Sequence, residues 1–149
     1  MEKKIVAQHI DKGFGFPIVL ENVPMVKVRG EWTPYINYNN LAREVLRSLI
    51  ELDGRLTGNQ VKFVRTHFEM TLQAFAERFN VSHPAVMKWE RAKDRLTGMN
   101  WGTEKDIRLF TAKALEGAAD DFLALYGQLE TVSELKPAKV TLDAERVVA

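Results

Sequence analysis

The chain of 149 residues contains no cysteine, which excludes disulfides and thiolate metal sites. Its three histidines, His9, His67 and His83, lie far apart in the sequence, so we expect no metal site and no cofactor. No apolar run approaches the roughly 20 residues that a membrane span needs, and the N-terminus lacks the apolar core of a signal peptide. These absences predict a cytoplasmic protein with no membrane partner.

The net charge of +1 is distributed unevenly along the chain. Residues 57–95 contain seven Lys or Arg against four Asp or Glu, which gives +3. Residues 103–149 contain six against nine, which gives −3. Because phosphate groups attract cationic side chains, the basic excess indicates where the chain would contact nucleic acid. A solvated helix face would account for the same charges.

The first 38 residues are rich in β-branched and turn-forming residues, which predicts a small sheet. Residues 18–20 and 25–28 are two short β-branched runs separated by Asn22 and Pro24, a pattern typical of a hairpin. A helix is predicted over residues 41–52, where leucine and valine recur at helical spacing. Aromatic rings at the end of this region offer an interface or cover the sheet: Trp32, Tyr35 and Tyr38.

The rest of the chain has strong signals for helices. Thr57 and Gln60 have the spacing of a capping box before a helix that runs to about Phe68. Thr71 and Ser82 are predicted to cap the next two helices. Two further helices are predicted after residue 103, and little pattern remains from residue 136 onward. The predicted fold class is mainly α, with a small N-terminal β-hairpin or sheet module.

Residues 70–91 form the most informative stretch, because they predict two short helices joined by a tight turn. Ala76 is small enough for the helices to cross closely, and Val81 occupies the turn. Val86 and Trp89 are predicted to pack back onto the phenylalanines of the first helix. The opposite face of the second helix offers side chains to base edges and phosphates: Ser82, His83, Pro84, Ala85, Met87 and Lys88.

This pattern resembles the Xre and phage-repressor family of helix-turn-helix proteins over residues 57–92. The matching residues are Thr71, Phe75, Ala76, Phe79, Asn80, Val81, Ser82, Val86, Lys88, Trp89, Glu90 and Arg91. The resemblance implies a lambda-repressor-like helical domain that binds double-stranded DNA, with residues 82–90 as its recognition helix. It implies base contacts by His83, Pro84 and Lys88, and contacts to phosphate by Ser82 and Arg91.

The same resemblance implies structural roles and shows one departure. Arg65 and Glu90 fall where the family often has a buried ion pair, so removing Arg65 would cost roughly 3–5 kcal/mol. Where the family commonly has a glutamine that contacts phosphate, this chain has Leu72, followed by Gln73. Either Gln73 makes that contact, or the docking angle differs.

Residues 15–31 resemble the N-terminal module of MqsA-type antitoxins. That module usually has a Cys-x-x-Cys-Gly-Glu turn where Val26, Arg29, Gly30 and Glu31 stand. This chain keeps the Gly-Glu pair but cannot hold the zinc ion, because it has no cysteine. The resemblance implies the antitoxin of a type II toxin-antitoxin pair, which binds a small ribonuclease toxin and represses its own operon as a homodimer. An unrelated β-hairpin is the alternative.

We therefore predict a transcriptional repressor and not an enzyme. The predicted organisation is a β-rich module with a helix for toxin binding or dimerisation (1–55), a helix-turn-helix DNA-binding domain (56–133) and a loose C-terminal tail (134–149). The alternatives are a stand-alone Xre-type regulator and a protein-interaction module with a degenerate helix-turn-helix. The helices after residue 103 offer a dimer surface or core residues: Ile107, Phe110, Leu123 and Tyr126.

Overall fold

The computed structural model describes residues 2–115, 119–131 and 134–149. The chain divides into a sheet unit, formed by Met1–Val45 with Lys139–Ala149, and a helical unit, formed by Leu46–Ala138. The protein is 46% helical and 25% strand, so the predicted mainly-α class is wrong. Within the described ranges, every helix is too short or too polar to span a bilayer.

The sheet unit contains a mixed four-stranded sheet. Its strands are β1 (Lys3–Asp11), β2 (Ile18–Val28), β3 (Glu31–Pro34) and β4 (Val140–Asp143). Strand β2 is central: β1 and β3 pair with it antiparallel, and β4 pairs with it in parallel. The sequence predicted fewer strands than these four, because the segment of β1 lacks the compact apolar run that is typical of a buried strand.

The two runs that predicted a hairpin belong to one strand, β2. Its buried side chains are Ile18, Leu20, Val23, Met25 and Val26, and the two-residue alternation changes phase between Leu20 and Val23, at Asn22. Asn22 has a φ of 54°, a left-handed conformation that asparagine tolerates better than most residues. The phase change hides the strand from a search for strict alternation, although the chain continues through it.

Pro24 also lies inside β2, where a proline normally argues against a strand. Its carbonyl accepts a hydrogen bond from the N–H of Tyr35 (2.8 Å), just after β3 ends at Pro34. The N–H and C=O groups of a strand residue point to the same side, so the missing donor faces the end of the β3 ladder. The reciprocal hydrogen bond to Tyr35 cannot form, and the carbonyl of Tyr35 accepts instead from the N–H of Ala149 (3.2 Å).

The predicted loose tail is replaced by structure over residues 140–147. Strand β4 pairs with β2 from Ile18↔Val140 to Glu21↔Asp143. A short 3-10 helix (Ala144–Val147) follows and buries both of its terminal residues. A four-residue strand has little signal of its own, and it is stabilised here by the neighbouring strand.

Helix α1 (Tyr38–Glu51) begins in the sheet unit and ends in the helical unit. The remaining helices in the described residues are α2 (Gly58–His67), α3 (Leu72–Arg78), α4 (His83–Arg91), α5 (Trp101–Ala114) and α6 (Ala119–Leu129). The predicted capping box is confirmed, because Thr57 and Gln60 each accept a hydrogen bond from the other's backbone N–H. Thr71 and Ser82 cap α3 and α4, also as predicted.

A buried network of charged side chains, the Arg55–Glu104–Arg108 triad, lies in the core of the helical unit. Glu104 accepts hydrogen bonds from Arg55 Nε (3.0 Å) and from Arg108 Nε and Nη2 (3.1 and 2.7 Å). Arg108 also donates to the carbonyls of residues 50, 52 and 54. Burial lowers the pKa of Arg108, and the carboxylate of Glu104 opposes that shift. The triad was not predicted from the sequence, because Arg55 lies 49 residues before Glu104.

The residues considered for a dimer surface after residue 103 differ in burial. Ile107 is fully buried, and the ring of Phe110 contacts the rings of Phe68 and Phe79 edge-on. Tyr126 is 42% exposed and has the ammonium group of Lys105 4.6 Å from its ring centre. The side chain of Leu123 lies outside the described residues. Ile107 is therefore not available to a partner, whereas Phe110 is half-buried.

Candidate nucleic-acid interface

The turn between α3 and α4 is closed by two backbone hydrogen bonds. The N–H of Asn80 donates to the carbonyl of Glu77 (3.2 Å), and that of Val81 donates to Ala76 (2.9 Å). Asn80 has a φ of 58°, which completes the left-handed C-terminal cap known as the Schellman motif. This turn brings Ser82 into position to begin α4, so the direction of α4 is fixed by the backbone.

The junction between α2 and α3 is built in the same way. Glu69 has a φ of 55°; its N–H donates to Thr66, and the N–H of Met70 donates to Arg65. In both junctions a phenylalanine ends one helix, an apolar residue follows the left-handed residue, and Thr or Ser caps the next helix. Neither left-handed residue is a glycine, so neither position was predicted from the sequence.

Helix α4 has a buried face and an exposed face. Val86 is fully buried and Trp89 is 7% exposed, and α4 packs against α2 and α3. The other face carries residues that were predicted to contact DNA. The exposed ones are His83, Pro84, Lys88 and Arg91, and the half-buried ones are Ala85 and Met87. The helix therefore presents a continuous polar and apolar surface to solvent.

Two of the predicted contact residues have other partners. The Oγ atom of Ser82 accepts a hydrogen bond from the N–H of Ala85 (3.2 Å), which makes it the N-cap of α4. Gln73 is exposed, and its Nε2 atom donates to the carboxylate of Glu77 (3.3 Å). Leu72 is half-buried. A carboxylate beside Gln73 repels phosphate, so Gln73 is a poor replacement for the family's glutamine.

The ion pair between Arg65 and Glu90 is present and ties α2 to α4. Arg65 Nε and Nη2 donate to the two carboxylate oxygens of Glu90 at 2.7 and 2.9 Å, a bidentate arrangement. Arg65 Nη1 also donates to the carbonyl of Met70 (2.9 Å), in the α2–α3 junction. One guanidinium thus connects α2, α4 and the α2–α3 junction. The side chains are 13% and 12% exposed, so solvent still reaches the pair.

A glycine allows the beginning of α2 to approach the end of α4. A Cβ atom at Gly58 would lie 2.3 Å from the carbonyl oxygen of Trp89 and 2.7 Å from the backbone nitrogen of Lys93. Both are backbone atoms, so the two helices would have to separate to admit any side chain. Gly58 follows the cap residue Thr57, and no local sequence pattern requires a glycine at that position.

The basic excess seen in the sequence is only partly available to a ligand. Arg65 is paired with Glu90, and Arg78 lies 3.6 Å from Asp106 with its guanidinium over the ring of Phe79. The other five basic residues of this stretch are exposed: Lys62, Lys88, Arg91, Lys93 and Arg95. Four of those five lie on α4 or directly after it. The available positive charge is therefore concentrated near the exposed face of α4.

His67, the last residue of α2, contributes little positive charge near neutral pH. Burial lowers the pKa of His67 from its usual 6.5, and its ring contacts the rings of Phe63 and Phe68. We therefore assign His67 to packing.

Comparison with known proteins adds no relative to this picture. The scan against protein-family models and the searches of curated proteins and of solved structures gave no match.

Proposed function

We propose that this protein binds double-stranded DNA in a sequence-specific manner and represses transcription. The observation that supports the proposal is the exposed face of α4, which the Arg65–Glu90 pair and the α3–α4 turn hold in a fixed direction. A short helix of this kind, preceded by a tight turn and a second helix, fits the major groove of B-form DNA. The exposed cations beside it would neutralise phosphates.

The side chains of this face suit different parts of the groove. Lys88 can donate to acceptors on guanine, and His83 can donate to an acceptor on a base edge. Pro84 and Ala85 are apolar and can contact a thymine methyl group. Arg91 lies at the end of the helix, where a phosphate contact is expected. Met87 is half-buried, and we assign it to the rim of the contact.

The test is binding of duplex DNA selected from a random pool by the full chain, followed by fluorescence anisotropy on the selected site. We expect Lys88→Ala and His83→Ala each to weaken specific binding by roughly 1–3 kcal/mol, because each removes a base contact. Lys113→Ala is the matched control: Lys113 is exposed near the end of α5, in the same unit. Wild-type affinity in both α4 variants would contradict the assignment of α4 as the recognition helix.

Salt dependence separates this proposal from a protein-interaction module with a degenerate helix-turn-helix. Release of counterions from DNA makes the logarithm of the binding constant fall linearly with the logarithm of salt concentration. Lys88→Ala should also reduce that slope if the ammonium group lies near phosphate. Binding that does not change with salt, or no binding at low salt, would favour the interaction module.

The antitoxin role is a second proposal, and it rests on the resemblance of residues 15–31. The sheet unit supports it by exposing Tyr35 and Tyr38, 46% and 48% respectively, since aromatic rings are common anchors in protein interfaces. Trp32 is half-buried and has the ammonium groups of Lys4 and Lys27 at 4.3 and 5.9 Å from its ring centre. Relief of the toxicity of a neighbouring ribonuclease gene by this chain, lost in Tyr35→Ala, would test it. A stand-alone regulator would give no such relief.

A further inference from the structure

The Arg55–Glu104–Arg108 triad, in the core of the helical unit, has two positive charges and one negative charge. In that order its side chains are 8%, 1% and 1% exposed. A buried charge without a counterion is costly, because the protein interior solvates it poorly. The excess positive charge therefore needs either solvent or an anion.

Two members of the triad have no capacity for further hydrogen bonds. Arg108 uses all five of its N–H groups, three on backbone carbonyls and two on Glu104. The Oε1 atom of Glu104 accepts from Arg55 Nε and from the N–H of Leu56, and its Oε2 atom accepts twice from Arg108. Four hydrogen bonds are about what the lone pairs of a carboxylate can accept.

Arg55 is the member with donors left over. Its Nε atom donates to Glu104, and its Nη2 atom donates to the carbonyl of Met99. None of the described residues accepts from its other N–H groups, which are both of those on Nη1 and one on Nη2. Every fully buried polar side-chain atom among the described residues has a hydrogen-bond partner, so Nη1 must touch solvent. The Nη1 and Nη2 atoms, the open end of Arg55, therefore bring the excess charge to the surface.

We propose that the open end of Arg55 binds a phosphate group. The planar guanidinium has donors on two adjacent nitrogens, and these match two oxygen atoms of a phosphate. The indole ring of Trp101 lies beside the site, with its centre 5.3 Å from Arg55 Cζ. Helix α5 begins at the same tryptophan, and the positive end of its dipole also favours an anion. A bound phosphate would balance the second cation of the triad.

One acidic side chain near the triad, Asp53, does not supply this anion. Asp53 is exposed, and the ion pairs of both arginines are made with Glu104. The charge of Asp53 nevertheless raises the pKa of Arg108, so it acts on this region. Asp53→Asn should therefore tighten phosphate binding by about two- to fivefold, because it removes a repelling charge.

Thermal unfolding of the full chain with inorganic phosphate, and without DNA, is the first measurement. Phosphate at ten times its dissociation constant should raise the Tm by about 3–5 °C, with ionic strength kept constant by sodium chloride. Arg55→Met should abolish this shift, and it should fold because Glu104 and Arg108 remain as a balanced pair. Lys113→Met is the matched control: Lys113 is exposed near the end of α5, and its loss removes the same charge. The control also corrects for the general stabilisation of folded proteins by phosphate.

Duplex DNA in a phosphate-free buffer is the second measurement, and it separates a phosphate of nucleic acid from the free ion. If the site takes a backbone phosphate, Arg55→Met should lower the slope of log K against log salt by about 0.9. A merely structural loss would lower the affinity without changing the slope. Lys113→Met should change neither. This arm rests on the proposed DNA binding, whereas the first arm does not, so the two can fail separately.

A response of Arg55→Met in either arm, absent from Lys113→Met, supports the site and identifies the source of the phosphate. An Arg55→Met variant that matches the wild type in both arms would overturn the proposal. If circular dichroism shows that Arg55→Met does not fold, Asp53→Asn decides: unchanged or weaker phosphate binding in that exposed variant would also overturn it.

Discussion

Two ion-pair networks hold the helical unit together, and they differ in charge balance and in exposure. The Arg65–Glu90 pair has one cation and one anion, with side chains 13% and 12% exposed. The Arg55–Glu104–Arg108 triad has two cations and one anion, with side chains 8%, 1% and 1% exposed. In the triad the carboxylate serves two guanidinium groups, and backbone carbonyls satisfy the remaining donors of Arg108. The comparison shows that the core depends on a single carboxylate, whereas the pair beside α4 is balanced and partly solvated.

The largest effect is expected at Glu104, where loss of the carboxylate leaves two buried cations without an anion. Glu104→Gln should lower the free energy of unfolding by roughly 3–5 kcal/mol, the range for breaking a buried ion pair. The N–H of Leu56 also donates to Oε1 of Glu104 (3.1 Å), so the backbone loses a charged acceptor as well. Urea unfolding followed by circular dichroism measures the change. The exposed Glu130→Gln should leave the unfolding midpoint unchanged, and a similar result for Glu104→Gln would contradict the role given to the triad.

A smaller loss is expected at Arg65, because solvent reaches the carboxylate that remains. Arg65→Met should cost about 2–3 kcal/mol, less than the roughly 3–5 kcal/mol expected for full burial. The same variant should also weaken DNA binding, since the ion pair holds α4. Adding Glu90→Met should recover part of the stability, and the double-mutant cycle measures the coupling. A cost equal to that of Glu104→Gln would remove the distinction between the two networks.

The close approach of α2 and α4 provides a test that involves no charge. Gly58→Ala should cost roughly 1–3 kcal/mol, because the new methyl group meets backbone atoms of residues 89 and 93 that must move. Gly127→Ala is the matched control: among the described residues, apart from its neighbours and the backbone of α6 itself, no atom lies within 4 Å of the position of its Cβ, and α6 should gain about 0.5–1 kcal/mol. Thermal unfolding of both variants checks the prediction. Equal effects would show that the helices do not depend on contact at Gly58.

The smallest effect is expected at the α2–α3 junction, which supplies the third partner of Arg65. Glu69→Gly should raise stability by about 0.5–1 kcal/mol, because glycine adopts the left-handed conformation without the strain of a side chain. The same substitution in the body of α3, Glu77→Gly, should lower stability by about 1 kcal/mol. Chemical unfolding of the two variants should therefore give changes of opposite sign. Destabilisation by Glu69→Gly would mean that its side chain, and not its backbone conformation, matters.

The helices of the helical unit could be predicted from local sequence patterns, but the ion pairs that hold these helices together could not. Local signals such as Thr57 with Gln60, and Ser82 before Pro84, act over a few residues and predict where helices begin. The Arg65–Glu90 pair was expected only from a family resemblance. The triad joins residues 49 positions apart, from Arg55 to Glu104, and no local pattern reports such a contact.

The sheet unit was less predictable, because its structure depends on contacts distant in sequence. Asn22 changes the phase of β2, so two apparent runs belong to one strand. Strand β4 pairs with β2 across a separation of about 120 residues, as the pairing of Glu21 with Asp143 shows. The predicted fold class was therefore wrong, because it depends on pairing between strands that are far apart in the sequence. The exposed face of α4 was foreseeable, because its helical spacing is local.

The position of β4 has a consequence for synthesis of the chain. Strand β4 follows the whole helical unit along the sequence, yet it pairs with β2, which precedes that unit. On the ribosome, the helical unit therefore emerges completely before the sheet can acquire its fourth strand. A nascent chain halted just after residue 138 would contain all of the helical unit but an incomplete sheet. The fourth strand can therefore join the sheet only after the whole helical unit has been synthesised.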